Sequence, residues 1–498
     1  MASRRAGTIM LQGAGSNVGK SILVAGLCRA FARRGIKVAP FKPQNMSNNA
    51  AVTKEGGEIG RAQALQARAC YLDPAVDMNP VLLKPETDTG SQIIVQGKRF
   101  GSMRARDYGK QKAKLLPPVL ESFDRLCAAH DLVIIEGAGS PAEVNLRAGD
   151  IANMGFAVAA NVPVIMVGDI DRGGVIASLV GTDVVLSDED SRHIEGFLIN
   201  KFRGDTTLFH DGMTIIEEAT GWAGIGILPW FDGASNLPAE DILDLTNKAR
   251  DGANKKIHIA VPVLRRIANF DDLDPLAAEP QVKLSLIKAG EAMPGDADLI
   301  LLPGSKATIS DLTYLKEQGW DGDIRAHIRR GGHVIGLCGG YQMLGKKLHD
   351  PDGIEGKAGS ADGLGLLDIE TVLETRKIVT DSKGQSVPEG LPVAGYEIHM
   401  GRTSGADCNR PMVHLDGLDG SILADGASDI TGRVRGCYMH GLFASDSYRG
   451  AVLSQLGGAS AKISFEPLIE AELDRLADHM EAHLDLAKLA ELAQIKLS

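Results

Sequence analysis

The sequence lacks paired cysteines, long apolar runs and an excess of basic charge. Its six cysteines are dispersed, with no CxxC pair, at positions 28, 70, 127, 338, 408 and 437. This pattern argues against a disulfide framework or a zinc site and favours a reducing, cytoplasmic setting. No apolar stretch is long enough to predict a membrane-spanning helix. The formal net charge of −11 argues against a general nucleic-acid binder, so we expect neither nucleic acid nor membrane as a partner.

Aromatic residues are also scarce, at 4%, whereas the glycines number 59. This balance is typical of a glycine-turned α/β protein with aliphatic parallel strands. A chain of 498 residues is too long for one hydrophobic core, so its length predicts two or three domains.

Apolar runs alternate with helical patterns in two stretches of the chain. The predicted strands are 8–12, 36–39, 132–136, 162–169, 194–200 and 226–229 in the first stretch, and 257–263, 282–287, 299–302 and 333–337 in the second. Continuous apolar runs joined by helices predict parallel sheets covered on both faces. The fold class is therefore α/β, with two doubly wound parallel-sheet domains at 1–250 and 251–450 and a helical tail at 451–498.

Polar stretches separate these units. The charged segment 241–256 is predicted to be a linker, and the turn-rich segments 350–362 and 381–389 are predicted to be exposed loops. The tail at 467–497 has an amphipathic helical pattern, which predicts one or two helices packed on the protein, with a partner-binding helix as the alternative.

A glycine-rich loop directly follows the first predicted strand. A phosphate-binding loop needs backbone N–H groups aimed at phosphates, a lysine for their charge and a hydroxyl for Mg²⁺. The candidates for nucleotide binding are Gly13, Gly15, Asn17, Gly19, Lys20 and Ser21, and Ser21 is also a candidate metal ligand. Because Ala14 stands where the strict pattern has its first glycine, the loop resembles the longer one of dethiobiotin-synthetase-like ATPases.

Other polar residues stand at predicted strand ends near this loop. Glu136 ends an apolar strand, where a Mg²⁺-binding carboxylate belongs, although a surface acid would fit the same pattern. Glu58 is a second candidate for the metal. Asn200 follows the fifth strand and offers a donor and an acceptor for an adenine edge, with a capping or turn role as the alternative.

Two further segments are candidates for contact with the substrate. The amide-rich segment after the second strand contributes Lys42, Gln44, Asn45 and Asn48, and the segment after the fourth strand contributes Asp171 and Arg172. Ligand sites in open α/β sheets lie at the carboxyl ends of the strands. We therefore expect both segments to border the nucleotide, with an ordinary polar loop as the alternative for the first.

In the segment 333–342, a short apolar strand leads into Gly-Leu-Cys-Gly-Gly and then into a helical pattern. This order predicts a strand, a tight turn with Cys338 at its bend, and a helix. The flanking glycines allow a strained turn and leave room for a substrate, and a helix N-terminus favours the reactive thiolate. Cys338 is therefore the predicted nucleophile. Cys437 lacks glycines on both sides and is predicted to be a core residue.

A cysteine nucleophile needs a base. His440, which ends an apolar strand far downstream, is the first candidate. The alternatives are His333, His399 and His414. Pro303 and Gly304 end a neighbouring strand in a turn, and we expect the backbone N–H groups of Gly304 and Gly339 to form an oxyanion hole.

The Pro303–Gly304 turn, Cys338 and His440 make the second half resemble class I (triad) glutamine amidotransferases, which have a flavodoxin-like fold. That family usually has a glutamate two residues after the histidine, but Leu442 stands there in this sequence. The third member is therefore absent or comes from elsewhere, and a Cys–His dyad stays open. This departure is typical of the branch that amidates cobyrinic acid.

The chain as a whole, over residues 6–450, resembles the cobyric acid synthase family of cobalamin biosynthesis. The segments that carry the resemblance are 42–49, 58–63, 79–85, 135–143, 169–174 and 396–401. The resemblance implies that Cys338 and His440 release ammonia from L-glutamine. It also implies that ATP and Mg²⁺ serve a P-loop synthetase domain, which amidates the b, d, e and g carboxylates of the corrinoid adenosylcobyrinic acid a,c-diamide. No tightly bound prosthetic group is expected.

Other functions fit parts of the pattern. A cobyrinic acid a,c-diamide synthase would share both domains. A partitioning-type scaffold ATPase would need no elbow cysteine, and a dethiobiotin-synthetase-like carboxylating enzyme with a degenerate second domain would not need Cys338. The sequence leaves open the order of amidation, the route of ammonia and the oligomeric state, and a homo-oligomer is compatible with it.

Overall fold

Two parallel sheets, each covered by helices, organise the protein. The computed structural model describes residues 6–238, 256–356, 358–417, 419–459 and 463–497. Apart from Lys256, the predicted linker at 241–256 lies outside the described residues, as does the predicted domain boundary at 250. Among the described residues, none of the helices combines the length and apolarity that crossing a membrane requires.

The first domain contains one large sheet and two small ones. Its strands are β1 (Gly7–Gly13), β2 (Val38–Phe41), β3 (Gln44–Met46), β4 (Ala50–Val52), β5 (Glu58–Gly60), β6 (Val81–Pro85), β7 (Gly90–Val95), β8 (Lys98–Arg104), β9 (Leu132–Glu136), β10 (Val164–Asp169), β11 (Ile194–Phe202) and β12 (Ala223–Pro229). The large sheet is parallel, in the order β12-β11-β10-β1-β9-β2, which confirms the prediction. The small sheets, β3-β6-β7-β8 and β4-β5, were not predicted.

Helices cover both faces of the large sheet. They are α1 (Lys20–Arg33), α2 (Arg61–Ala69), α3 (Ala105–Gln111), α4 (Leu116–Ala129), α5 (Met154–Ala160), α6 (Val175–Val185), α7 (Asp188–Ser191) and α8 (His210–Thr220). Successive side chains of a strand point to opposite faces, so Leu11 on β1 packs in one core and Met10 in the other. Gly35, with φ of 80°, follows the end of α1 in the left-handed conformation that favours glycine.

The second domain has a sheet of its own. Its strands are β13 (Ile257–Pro262), β14 (Val282–Ile287), β15 (Leu299–Leu302), β16 (His333–Leu337), β17 (Lys347–Asp350), β18 (Gly359–Asp362), β19 (Glu370–Ser386), β20 (Pro392–Ser404), β21 (Val413–Asp416), β22 (Ile422–Asp425), β23 (Ala427–Ser428) and β24 (Val434–Cys437). Six of these strands form the main sheet, in the order β14-β13-β15-β16-β24-β23, in which β23 is antiparallel, and the other six form a second sheet around the hairpin of β19 and β20. The helices are α9 (Leu273–Ala278), α10 (Thr308–Glu317), α11 (Trp320–Arg329), α12 (Gly339–Leu344) and α13 (Asp446–Gln455), so the predicted boundary at 450 falls inside α13.

The predicted loop at 350–362 is confirmed for the turns at 351–356 but not for its end, whereas the predicted loop at 381–389 is largely wrong. Residues 359–362 form β18, and residues 381–386 belong to β19, which pairs with β20 in a long antiparallel hairpin. Burial alternates along 381–386, but the buried positions are Ser382, Gly384 and Ser386. Because small or polar residues occupy the inward positions, the sequence has no apolar alternation that would indicate a strand.

The helical tail completes the first domain. It consists of α14 (Phe465–His483) and α15 (Leu486–Leu492), and α14 packs along α1. Leu473 and Met480 of α14 lie in the same core as Val24 and Leu27 of α1. A salt bridge from the buried Arg29 to Glu470 lies beside this contact. The tail therefore belongs, by packing, to the domain from which it is most distant in sequence.

Leu473→Ala should lower the midpoint of thermal unfolding of the first domain, because Leu473 is fully buried between α14 and that domain. A buried leucine truncated to alanine leaves a cavity and loses about 2–5 kcal/mol of stability. Leu208→Ala is the matched control, since Leu208 is 82% exposed. Scanning fluorimetry would compare the two variants, and equal midpoints would contradict the packing of the tail.

Candidate active sites

Cys338 occupies a strained turn between β16 and α12. Its φ of 50° and ψ of −107° lie outside the usual regions for a residue with a side chain. The turn also needs glycine on each side. A Cβ atom on Gly340 would lie 2.2 Å from the Leu302 carbonyl oxygen, and one on Gly336 would lie 2.6 Å from the Gly340 carbonyl oxygen. The predicted strand, turn and helix are confirmed, and the sulfur stands at the carboxyl end of a central strand.

His440 follows β24, the strand next to β16, and is fully buried. Its Nδ1 lies 2.7 Å from Oδ2 of Asp272, and Asp272 Oδ1 accepts a hydrogen bond from the Gly441 backbone at 2.6 Å. Asp272 ends a short 3₁₀ turn, Phe270–Asp272, that follows β13. A carboxylate on Nδ1 orients an imidazole so that Nε2 exchanges protons with the nucleophile and the substrate. Asp272 therefore takes the place of the third member that position 442 does not supply.

The electrostatics of this pair favour a charged imidazole. Burial lowers the pKa of His440, but the charge of Asp272 and its hydrogen bond outweigh burial, and the pKa rises to about 10. The other ring nitrogen, Nε2, makes no hydrogen bond of standard geometry among the described residues, and the nearby Cys338 side chain also raises the pKa of His440. It lies on the side of Gly304, where a Cβ would come within 3.4 Å of it. His440 can therefore hold a proton at Nε2 while Asp272 fixes the ring.

A cavity joins these groups. Cys338, His440 and Gly304 line it together with Lys84 of the first domain and Lys377 of β19. A Cβ at Gly339 would lie 2.8 Å from the Ser305 backbone nitrogen. The turn after β15 therefore packs against the residue that follows Cys338, the arrangement that the predicted oxyanion hole requires.

The competing histidines have other positions. His399 also lines the cavity, with its ring stacked 3.7 Å from that of Tyr438, and burial lowers its pKa to about 4. His333 begins β16, at the end opposite Cys338, and His414 is exposed on β21. Of these histidines, only His440 has a carboxylate on its ring in the part of the chain that the structure describes.

The predicted phosphate loop lies at the carboxyl end of β1 and leads into α1. Gly19 caps the helix with φ of 95°, and a Cβ there would lie 2.6 Å from the Asn200 amide nitrogen. Lys20 Nζ donates to the carbonyl oxygens of Gly139 at 3.0 Å and Gly15 at 3.5 Å. The loop therefore holds its lysine above the ends of β1 and β9.

Glu136, at the end of β9, is the most heavily contacted carboxylate of this site. It accepts hydrogen bonds from Ser21 Oγ at 2.8 Å, Lys42 Nζ at 2.7 Å and Gln66 Nε2 at 2.6 Å, and Gln63 Nε2 lies at 3.4 Å. The structure thus brings together three residues predicted separately, Ser21, Lys42 and Glu136. The two glutamines were not singled out as site residues, although Gln63 lies in a segment that carries the family resemblance.

Asn200 supports the loop from β11. Its amide nitrogen donates to the Val18 carbonyl oxygen at 2.8 Å, and the neighbouring Lys201 donates to the Asn17 carbonyl oxygen at 2.5 Å. These contacts place Asn17 and Asn200 next to the predicted phosphate position. Recognition of adenine by Asn200 stays a prediction.

The predicted substrate segments lie near the same edge. Gln44 accepts from the Tyr108 hydroxyl at 2.7 Å, Asn45 donates to Gln63 at 2.9 Å, and Asn48 donates to the Pro85 carbonyl oxygen at 3.2 Å. The segment is partly a strand, since Gln44–Met46 forms β3. Asp171 pairs with Arg203 at 2.7 Å, and the side chain of Arg172 is 63% exposed.

Glu58 has lysine partners instead of a metal-like setting. Its Oε2 accepts from Lys84 at 2.8 Å, and its Oε1 pairs with Lys377 of the second domain. Burial raises the pKa of Glu58, but the two lysines outweigh burial and lower the pKa to about 2. Both oxygens are engaged by cations, so the structure gives no support to Glu58 as a second metal ligand. Instead, the residue joins the two domains.

One signal in the sequence could have located Asp272. The segment Asn269-Phe270-Asp271-Asp272 comes soon after the predicted strand 257–263, and acidic residues past a strand end lie at the ligand-binding edge of a parallel sheet. Cys338, Gly304 and His440 follow neighbouring strands of that sheet. The strand order was needed to place Asp272 beside His440.

Comparisons with known proteins cover nearly the whole chain. A CobQ/CobB/MinD/ParA nucleotide binding domain matches residues 9–244, and a CobB/CobQ-like glutamine amidotransferase domain matches residues 258–448. Cobyric acid synthase of Jannaschia sp. (strain CCS1) is 60% identical over 97% of this chain and 99% of its own length. Cobyric acid synthase of Rhodobacter capsulatus is 60% identical over 98% of this chain and 99% of its own length. That of Paracoccus denitrificans (strain Pd 1222) is 59% identical over 98% of this chain and 100% of its own length.

Asp272→Asn should slow alkylation of Cys338 by iodoacetamide near neutral pH. The amide removes the charge that raises the pKa of His440, so a smaller fraction of His440 is protonated to stabilise a thiolate. Asp296→Asn is the control, because Asp296 has a 76% exposed side chain and pairs with His258. Mass spectrometry of the Cys338 peptide against time gives the rate, and equal rates in both variants would refute the effect of the Asp272 charge on His440.

Proposed function

Because the chain belongs to the cobyric acid synthase family, we propose that it converts adenosylcobyrinic acid a,c-diamide to adenosylcobyric acid by amidating the b, d, e and g carboxylates. Glutamine supplies the nitrogen and ATP activates the carboxylates, so the protein is a glutamine-hydrolysing amide ligase. The observation that carries the proposal is that Cys338 and His440 line one cavity with Lys84 of the nucleotide-binding domain, while Asp272 holds the Nδ1 side of His440.

In the glutaminase half-reaction, Cys338 Sγ attacks the side-chain amide carbon of glutamine. His440 holds the proton of the thiol at Nε2 while the sulfur attacks and gives it to the departing nitrogen, so that ammonia leaves and a glutamyl thioester remains. Water then attacks the thioester, and glutamate leaves. Backbone N–H groups of Gly304 and Gly339 stabilise the oxyanion that forms in both attacks. Asp272 keeps Nε2 directed at the reacting atoms.

In the synthetase half-reaction, a carboxylate oxygen of the corrinoid attacks the γ-phosphorus of ATP and ADP leaves. This step is needed because a carboxylate is a poor electrophile, whereas a carboxyl phosphate has a good leaving group. Ammonia then attacks the carbonyl carbon, phosphate leaves, and an amide remains. Lys20 and the backbone N–H groups of the loop hold the phosphates. Lys42, which pairs with Glu136, adds a second positive charge near the transferred phosphate.

The residues at the loop fit Mg²⁺. The Ser21 hydroxyl and the Glu136 carboxylate are the groups that hold Mg²⁺ beside the phosphates at a phosphate loop, and a bound ion would replace the contact of Lys42 with Glu136 Oε1. We assign these two residues as its ligands. A bound Mg²⁺ would neutralise phosphate charge during transfer, and Gln66 would keep Glu136 in place through its 2.6 Å hydrogen bond.

Ammonia must pass between the sites without meeting bulk water, because it is mostly protonated near neutral pH and ammonium is not a nucleophile. The position of Lys84 in the wall of the glutaminase cavity supports transfer inside the protein. Dispersed cysteines without a disulfide framework support a cytoplasmic location.

Cys338→Ala should abolish amidation with glutamine while leaving amidation with high ammonium intact, because only the first reaction needs the nucleophile. Lys20→Ala should abolish both, since both need ATP. Cys408→Ser is the control, because Cys408 lies half-buried beside Tyr341 and outside the cavity lining. Loss of the ammonium-driven reaction in Cys338→Ala would contradict the division into two sites.

The substrate is tested by mass spectrometry of adenosylcobyrinic acid a,c-diamide incubated with the protein, ATP, Mg²⁺ and glutamine. The proposal expects four successive decreases in mass, each equal to the difference between a hydroxyl and an amino group. Conversion of cobyrinic acid, with none of the diamide, would instead indicate the related a,c-diamide synthase.

A further inference from the structure

An arginine of the first domain reaches into the glutaminase domain next to the aspartate of its triad. Arg61 is the first residue of α2, and its Nη2 lies 3.2 Å from Oδ2 of Asp271. The Asp271 side chain is only 4% exposed. Asp271 directly precedes Asp272 in the 3₁₀ turn, so the arginine holds the segment that presents the triad carboxylate.

Asp271 is also linked to the catalytic His440 through Tyr396. The Tyr396 hydroxyl donates to Asp271 Oδ1 at 2.7 Å, and the Tyr396 ring stacks on the His440 ring with centroids 5.3 Å apart. The backbones of Tyr396 and His440 also exchange hydrogen bonds, at 2.8 and 3.1 Å. A displacement of the Asp271 side chain would therefore move His440 through Tyr396 as well as through Asp272.

The salt bridge of Arg61 matters because Asp271 and Asp272 are two neighbouring negative charges. Asp271 and Asp272 are consecutive, buried acids. Burial raises the pKa of Asp272, and the negative charge of Asp271 raises it further. Without a cation on Asp271, the two carboxylates repel each other in a poorly solvating site. A protonated or displaced Asp272 would no longer orient His440.

We propose that Arg61 is a positioning residue of the glutaminase site, through which the nucleotide-binding domain keeps Asp271, Asp272 and His440 in their working arrangement. Arg61 does not line the cavity and touches no reacting atom, so it acts on the reaction rate and not on glutamine binding. The proposal rests on the proposed glutaminase role of Cys338 and His440.

Hydrogen bonds around α2 fix the position of Arg61 in the first domain. Its backbone nitrogen donates to the Asn49 carbonyl oxygen at 3.0 Å, and the Ala50 nitrogen donates to Asn269 Oδ1, across the domain contact, at 3.1 Å. Later in the same short helix, Gln66 donates to Glu136 at 2.6 Å. The helix that carries Arg61 is therefore anchored on the phosphate-loop side of the first domain.

The test compares glutamine hydrolysis by the full-length protein and its Arg61→Met and Arg61→Lys variants, with glutamate release as the readout. We expect Arg61→Met to lower kcat by about tenfold or more, the usual effect of losing a charged hydrogen bond at a buried group, with KM for glutamine nearly unchanged. Arg61→Lys should restore part of kcat, and ammonium-driven amidation should stay at the wild-type rate in both variants. A wild-type kcat in Arg61→Met would overturn the proposal.

A double variant distinguishes positioning through charge from a loss of folding. Arg61→Met with Asp271→Asn removes both charges, so it should recover much of the kcat that Arg61→Met loses. No recovery would overturn the charge argument. Asp88→Ala is the matched control, since it removes another salt bridge between the domains, that of Asp88 with Arg266, and Asp88 is 96% exposed. A loss in this control as large as that in Arg61→Met would assign the effect to domain contact in general.

Failure of the inference and failure of the proposed function give different results. If Cys338→Ala releases glutamate as fast as the wild type, the glutaminase assignment itself is wrong. If Cys338→Ala is inactive and Arg61→Met is fully active, only the role of Arg61 is wrong.

Discussion

A buried carboxylate that stays charged needs a cation or several hydrogen-bond donors, and cations in this role shape both sites and the contact between them. The pairs are Glu136 with Lys42, Glu58 with Lys84 and Lys377, Asp271 with Arg61, and Asp272 with His440. Removing one partner of such a pair leaves an uncompensated charge and destabilises a protein by about 3–5 kcal/mol. Each pair therefore fixes the position of the elements that carry its members. Because Lys377 and Arg61 each pair across the domains, the same requirement sets how the domains meet.

The features that sequence predicts well are local. The phosphate loop and the cysteine turn each occupy about ten consecutive residues, and glycines reveal them because no other residue fits the close backbone approaches at Gly336 and Gly340. Asp272 could not be predicted from a local motif because it is 168 residues from His440. Only the strand order, which puts β13 and β24 in one sheet, brings the two together at the same edge.

Two other features of the structure could not be predicted from the sequence, for different reasons. The end of β19 has small and polar residues at its inward positions, so its sequence pattern indicates a loop although the backbone pairs as a strand. The tail shows a clear amphipathic pattern, which indicates that it packs on something. An apolar stripe carries no information about which surface receives it, and proximity in sequence would have suggested the second domain. The contact of α14 with α1 decides the matter.

The packing of the tail has a consequence for how the protein is made. Gly7 on β1 lies so close to the tail that a Cβ there would be 2.2 Å from the Ile495 side chain, so the first strand of the sheet and the tail are neighbours. The first strand leaves the ribosome long before the helices that cover it, and the entire glutaminase domain is synthesised in between. A chain interrupted before α14 would contain every residue named in the two sites and still lack part of the core behind the phosphate loop. The nucleotide-binding half therefore begins to be translated before the glutaminase domain and completes its core after it.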